Sequence, residues 1–285
     1  MVKQLVCGDK VLDLSSAVVM GVLNVTPDSF SDGGRFVTVD AALHHAESMI
    51  SEGALIIDIG AESTRPQAQQ VTEQQELDRL LPVLEAIKKQ FDVIVSVDTS
   101  SPTVIMESAK LGAGLINDVR ALQREGALAA AAQSNLPICL MHMQGQPQTM
   151  QLQPAYESVV DEVHNFLLTR IEACLQNGIA KERLLIDVGF GFGKTLAHNL
   201  QLLAQLSSFK TLDCPILVGM SRKSMLGAIL GGAPVEQRLF AGLSAATIAA
   251  LNGAKIIRTH DVRATKEALA VVNALLDLGE NNNVA

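Results

Sequence analysis

The 285-residue chain contains no tryptophan and a single tyrosine, so whatever core it builds is mainly aliphatic, filled by branched side chains and alanine. A basic excess is also missing. Lys and Arg number 22 against 30 Asp and Glu, and the net charge of −8 excludes a face built to meet nucleic-acid phosphates. An anionic small molecule stays within reach, but only through a local cluster of Arg, Lys and His. The four cysteines (Cys7, Cys139, Cys174 and Cys214) share no CxxC or metal-ligand spacing. Cys139 and Cys214 lie within or beside apolar runs, where a thiol behaves as a small hydrophobe. All four are expected to be reduced and structural, in a cytoplasmic protein. No run approaches the ~18 apolar residues of a membrane span, and the first ten residues lack the apolar core of a secretory signal. Neither a membrane nor a nucleic acid is an expected partner. No linker, charge block or low-complexity segment interrupts the chain, so 1–285 is expected to form one domain with its core at about 18–280.

What the chain does have is regular alternation. Eight short apolar runs have the length of buried strands: Val18–Leu23, Ala54–Ile57, Val93–Val97, Leu115–Ile116, Pro137–Met141, Leu184–Ile186, Pro215–Val218 and Lys255–Ile257. Helices are expected near 40–53, 74–90, 102–111, 125–134, 156–177, 197–207, 236–252 and 263–278. Thr72 and Ser101-Pro102 supply helix starts, while Gly53, Gly112, Gly178 and Gly253 supply helix ends. Eight strand–helix units predict an α/β fold, the (β/α)8 TIM barrel. Residues 2–14 alternate around Gly8-Asp9 and predict a short N-terminal β-hairpin covering the amino-terminal mouth of the barrel. The connections after the first, second and fifth runs (24–39, 60–72 and 142–154) are long and polar. A barrel places all three on one face, where covers over a site belong.

Every run ends on a polar or charged residue: Asn24, Asp58, Asp98, Asn117, His142, Asp187, the stretch Ser221 to Lys223, and Arg258 with His260. In parallel barrels the chemistry gathers at the carboxyl ends of the strands. One strand-end Asp is most often a helix cap or half of an ion pair. Four Asp or Asn at equivalent ends (Asp58, Asp98, Asn117 and Asp187) suit the donor-rich N–C–N edge of a heterocycle, and their oxygens also suit Mg2+. A dedicated metal cage rarely needs four strands, which favours the heterocycle for most of them. Lys223 either neutralises an anion beside Ser221, Ser224 and a helix start, or forms a Schiff base, although lysines of the second kind usually lie within the strand. Arg258 and His260 at the eighth strand, joined by Arg65, make a positive cluster where barrels often bind phosphate; structural salt bridges are the plain alternative. His142, between two methionines, reads as a packed histidine or one supporting the site, and His44-His45 as solvated. Asp187-Val-Gly-Phe-Gly-Phe-Gly-Lys is not GxGxxG, which argues against a dinucleotide. Its glycines let backbone approach a flat ligand, with Phe190 or Phe192 against a ring. The apolar stripe Leu239, Leu243, Leu269, Val272 and Leu275 serves equally a dimer or the core.

Taken together, these segments resemble the dihydropteroate synthases. Asn24-Val-Thr-Pro-Asp-Ser-Phe-Ser-Asp-Gly-Gly and Glu62-Ser-Thr-Arg-Pro are similar to that family's two signature loops. Val97-Asp-Thr-Ser, Ile116-Asn-Asp, Met141-His-Met, Gly189-Phe-Gly-Phe-Gly-Lys, Met220-Ser-Arg-Lys-Ser and Arg258-Thr-His follow in the family's order, from about residue 18 to 265. Ala61 and Val188 replace a Gly and a Pro common there, without removing a functional side chain. The resemblance implies a (β/α)8 enzyme of folate synthesis, usually a homodimer. It would join 6-hydroxymethyl-7,8-dihydropterin diphosphate to p-aminobenzoate and release pyrophosphate with the help of Mg2+. It implies that Asp98, Asn117, Asp187 and Lys223 hold the pterin, and that Thr64, Arg65, Arg258 and His260 hold or cover the diphosphate. Phe30, Pro66, Phe192, Lys223 and Ser224 would form the p-aminobenzoate pocket, with Asn24 and Asp32 serving the metal. Asp58, Asp98, Lys223 and Arg258 are the expected catalytic set. A methyl-transferring relative on the same barrel would have no use for the diphosphate and p-aminobenzoate segments.

Overall fold

A computed structural model describes residues 3–25, 35–62, 71–146 and 149–281. Strands β1 (Gln4–Cys7) and β2 (Lys10–Asp13) pair antiparallel across Gly8-Asp9, in the register Leu5 to Leu12. Then come β3 (Val18–Asn24), α1 (Arg35–Ser51), β4 (Ile56–Gly60), α2 (Glu73–Gln90), β5 (Ile94–Asp98), α3 (Pro102–Lys110), β6 (Leu115–Asp118) and α4 (Ala127–Ser134). The chain continues through β7 (Ile138–Met141), α5 (Val159–Gln176), β8 (Leu184–Asp187), α6 (Leu196–Ala204), β9 (Ile216–Gly219), α7 (Ser224–Ile229), α8 (Leu239–Leu251), β10 (Ala254–Thr259) and α9 (Val262–Asn281). Strands β3 to β10 run parallel and close into one barrel, β10 pairing with β3. The expected α/β barrel and its N-terminal hairpin are both present.

The period of two along each strand sorts the residues. Outward side chains such as Val19, Leu23, Ile57, Ile59, Val95, Val97, Ile138, Leu140, Ile216 and Val218 pack under the helices in one continuous aliphatic cluster. Inward side chains form stacked layers. The lowest takes one residue from every barrel strand: Met20, Ile56, Ile94, Leu115, Cys139, Leu185, Leu217 and Ile256. Leu5, Cys7, Leu12 and Leu14 of the hairpin pack against this layer, so the hairpin is the plug of the amino-terminal mouth. One layer higher, the same strands present Val22, Asp58, Ser96, Asn117, Met141, Asp187, Gly219 and Arg258. The interior therefore changes from dry to polar within one step of two residues, which directs chemistry to the carboxyl end.

Local signals set the helix ends. Thr72 caps α2 in a capping box with Gln75, and Ser101 caps α3 ahead of Pro102. Several expected bounds shift. Helix α1 begins at Arg35, not near 40. The stretch after β9 first forms the short α7, and the helix expected from 236 starts at Leu239, after a 3-10 turn at Val235–Gln237. The second strand reaches Gly60, because Ile59 and Gly60 continue the ladder against Val97 and Asp98. Asp58 is thus inside the strand, not at its end, and so are Asn117 in β6 and Arg258 in β10, whose ladders run one residue further.

The plug gives a test. Leu14 is fully buried between hairpin and barrel floor. Leu14→Ala is expected to cost about 2–5 kcal/mol in urea unfolding, and a change within experimental error would show that the hairpin packs loosely.

Candidate active site

Arg258, inward on β10, organises the polar layer. Its Nε donates to Asp58 Oδ2 at 2.6 Å and its Nη2 to Asp98 Oδ2 at 3.2 Å. Asn117 Nδ2 also donates to Asp58 Oδ2, at 3.3 Å. Asp58 has no exposed surface, and among the described residues its Oδ1 has no hydrogen-bond partner; nor does Oγ of Ser96, the residue opposite it on β5. Asp98 sits one inward step above Ser96, in register with Gly60 and Asn117, and keeps some contact with solvent. Burial, reinforced by the charge of Asp58, pushes the Asp98 carboxyl up to about 8 although Arg258 opposes the shift. For Arg258 burial acts against the charge, but Asp58 and Asp98 outweigh it and its pKa lies above the ordinary value.

Asp187 ends β8 and accepts the Gly189 N–H at 2.7 Å. Burial raises its pKa, and Lys223 is the main opposing charge. Lys223, just past β9, donates to the Phe190 carbonyl and lies 4.6 Å from the centre of the Phe192 ring. Burial brings its ammonium down to about 8. The segment after β8 therefore does what its glycines suggest, turning carbonyls and an aromatic face toward the mouth. Ser224 starts α7 and is exposed. His260 turns back to Ser221, whose Oγ lies 3.1 Å from His260 Nδ1 and accepts the His260 N–H at 3.2 Å. Arg222 is held by Asp261 at 2.6 Å.

Asn24 ends β3 at the same level as Gly60 and Asp98. Its amide oxygen is a hard ligand, and Mg2+ beside a substrate phosphate takes one or two protein oxygens and waters for the rest. Among the described residues no three His, Cys, Asp or Glu side chains gather as a metal cage. Asn24 fits the shared kind of site. Phe30, Asp32, Thr64, Arg65 and Pro66 lie outside the described residues.

Other side chains at this face had no role in the sequence reading. Asp118 accepts N–H groups of Arg120 (2.8 Å) and Leu122 (2.7 Å) and the hydroxyl of Ser100, shaping the turn after β6. Arg120 pairs with Glu62 at 3.1 Å, tying the end of β4 to that turn. His142 is buried, as the packed reading expects, and its Nδ1 lies 2.8 Å from Lys194 Nζ. An Asp ending a strand before a turn is a legible cap signal. Lys194 closes the Gly189-Phe-Gly-Phe-Gly-Lys segment, but nothing in the local sequence gives it a partner. His44 and His45 are exposed.

The raised pKa of Asp98 has a sign that can be measured. Against about 3.9 in an unfolded chain, the folded protein holds the extra proton up to about 8. Ionisation of Asp98 thus lowers stability as pH rises through that window. The melting temperature of Asp98→Asn, relative to the unsubstituted protein, is expected to increase between about pH 5 and pH 9. A constant difference would mean that Asp98 is ionised throughout.

Comparison with known proteins places this mouth in context. Residues 20–260 match the family described as pterin binding enzyme. The chain is 57 % identical to dihydropteroate synthase of Escherichia coli K12 over 270 residues, 95 % of each chain. The Yersinia pestis dihydropteroate synthase in a sulfonamide drug complex superposes with a TM-score of 0.91 at 55 % identity, covering 96 % of this chain and 99 % of that one. The Xanthomonas albilineans dihydropteroate synthase with 4-aminobenzoic acid gives a TM-score of 0.91 at 47 % identity, covering 97 % and 99 %. The strand-end Asp, Asn, Lys and Arg residues thus sit in a barrel and a sequence shared along nearly the whole length, and the chain belongs to the dihydropteroate synthase family of pterin-binding enzymes.

Proposed function

We infer that this chain joins 6-hydroxymethyl-7,8-dihydropterin diphosphate to p-aminobenzoate, giving 7,8-dihydropteroate and pyrophosphate. The observation that carries the reading is the Arg258 cluster: one guanidinium held by two carboxylates, at the mouth of a barrel ringed by Asn117, Asp187 and Lys223. Asp98, Asn117 and Asp187 offer acceptors and an amide to the donor-rich edge of a pterin, with Lys223 beside them. Lys223, Phe192 and Ser224 line the p-aminobenzoate side, completed by Phe30 and Pro66. Arg258 and His260, with Thr64 and Arg65, take the diphosphate. Asn24 and Asp32 would hold Mg2+, which when bound neutralises charge on the leaving diphosphate.

Loss of diphosphate before the amine attacks leaves a cation conjugated with the pterin. Asp98 would stabilise such a charge in its ionised form, which a positive charge beside it favours. Asp58 works from below: it holds Arg258 and Asn117 in place and has no exposed surface of its own. The aniline nitrogen is weakly basic, so its proton needs no strong base. A guanidinium about 4 Å from a phosphate oxygen contributes about 4 kcal/mol at an effective dielectric near 20. At tenfold per ~1.4 kcal/mol this amounts to about a thousandfold in rate.

The exposed apolar side chains of α8 and α9, Phe240, Ile248 and Leu251 with Val271, Leu275 and Leu278, form one face of two adjoining helices. We take this face for a homodimer contact. Leu269 and Val272 of the expected stripe are buried and belong to the core. Four free, buried thiols suit a reducing cytoplasm, and among the described residues no helix is long and apolar enough to cross a membrane.

Pyrophosphate release from the two substrates with Mg2+, competed by a sulfonamide, tests the activity; no release from folded protein overturns it. Arg258→Met is expected to lower kcat about a hundred- to a thousandfold, and near-normal turnover would remove Arg258 from the diphosphate. In sedimentation, Phe240→Asp with Val271→Asp is expected to turn a dimer into a folded monomer. A monomeric unsubstituted protein would dismiss the contact.

A further inference from the structure

Behind the substrate-facing segment 187–193 lies a buried pair that the reaction as described leaves unused. Lys194 is 3 % exposed and His142 6 %. Lys194 Nζ lies 2.8 Å from His142 Nδ1, 2.9 Å from the Gly189 carbonyl and 3.1 Å from the Phe192 carbonyl. An ammonium has three N–H donors, and here three short acceptors meet them. Two forms fit these distances, an ammonium donating to Nδ1 or a neutral amine accepting from Nδ1–H, and the histidine tautomer distinguishes them. With Lys194 charged, His142 accepts at Nδ1 and is the neutral Nε2–H tautomer; its ring lies edge-on to Phe166 at 4.9 Å. Burial, with Lys194 adding to it, holds the imidazole pKa down to about 3. Burial also lowers the Lys194 pKa, to about 7, with Asp187 opposing.

The two backbones joined by this contact could hardly be closer. Gly189 has φ +70°, and a Cβ there would lie 1.8 Å from the His142 carbonyl oxygen; one on Gly193, at φ +64°, would lie 2.4 Å from that of Gln144. The carbonyls that Lys194 holds, at Gly189 and Phe192, flank the Phe190 carbonyl that receives Lys223. Phe192 also carries the ring beneath the Lys223 ammonium. Asp187, by contrast, is fixed by its own strand and by the Gly189 N–H.

We propose that Lys194 is a positioning residue for the p-aminobenzoate side of the site: bound to His142 Nδ1 and two carbonyls, it fixes segment 189–192 and through it Lys223. This rests on the functional reading above. A buried ammonium is costly to desolvate unless fully paired, and packing alone would be served by an apolar side chain of the same length. Lys194 stands where no packing residue needs a charge, and its three bonds all end on the two segments that meet behind Lys223.

Lys194→Met keeps the length and removes the donors. In steady-state kinetics it is expected to raise KM for p-aminobenzoate about tenfold, leaving KM for the pterin diphosphate within about twofold. A uniform loss of active protein would move neither KM, so unchanged KM values, or equal rises for both substrates, overturn the proposal. The second readout needs neither substrate nor a folded variant. In 15N-histidine spectra of the unsubstituted protein near neutral pH, His142 is expected as the neutral Nε2–H tautomer with a hydrogen-bonded Nδ1. A protonated ring, or the Nδ1–H tautomer, overturns the contact in which a charged Lys194 donates to Nδ1. If the unsubstituted protein releases no pyrophosphate, the functional reading falls and takes the substrate assignment with it, and the histidine spectrum still reports on the contact separately.

Discussion

The mouth of this barrel depends on a single guanidinium. Arg258 leaves β10 and reaches carboxylates on β4 and β5, with β3 lying between β10 and β4. A planar fork can address two carboxylates at once, which the point charge of a lysine cannot do as well. The arrangement is demanding, because removing one member of a buried charged set typically costs about 3–5 kcal/mol by stranding the others. Asp58 is the member with no alternative: it has no solvent, and Arg258 and Asn117 are its hydrogen-bond partners among the described residues. The guanidinium ties Asp58 to Asp98 and Asn117 hangs on Asp58, while burial and the charge of Asp58 raise the Asp98 pKa against the pull of Arg258.

The barrel tolerates such a cluster because of what lies under it. On each strand the polar layer stands two residues, about 7 Å, above a residue of the dry floor, and the hairpin closes that floor from the other side. Charge and hydrocarbon share the same eight strands without mixing. Stability is built from the floor and from the outward aliphatic cluster under the helices, which leaves the upper layer free to hold groups that a core would reject.

Most of the frame was legible in the sequence because its signals are local. Apolar runs, helix caps and terminal glycines gave the eight units, and the barrel rule then assigned the active face. The misreadings have local causes too. The apolar run at Ala54–Ile57 is cut by Asp58, which looks like an end; only pairing with Val97 and Asp98 carries the strand on to Gly60. Lys194 ends the Gly189-Phe-Gly-Phe-Gly-Lys motif, but its role is not legible there, because its partners are His142, 52 residues earlier, and backbone carbonyls, which leave no mark in a sequence. Arg120 carries no sign in the sequence of the turn it shapes with Asp118 after Asn117.

The way the barrel closes bears on how the chain comes into being. Strand β3, near the start, completes its sheet only with β10, near the end, and Lys255 Nζ holds the Ser15 carbonyl at 2.6 Å. Asn273 seals the same seam, exchanging two hydrogen bonds with the backbone of Ala17 across 256 residues. The hairpin rests on residues from all eight strands, so its seat exists only when the last of them has been made. During synthesis the hairpin emerges before β10, with Leu5, Leu12 and Leu14 uncovered until that strand has followed. Contacts this distant in sequence slow folding and leave apolar surface open meanwhile. The vulnerable interval lies between the hairpin and β10, and a chain cut before β10 would leave the hairpin, as much as the broken edge, without a place to fold.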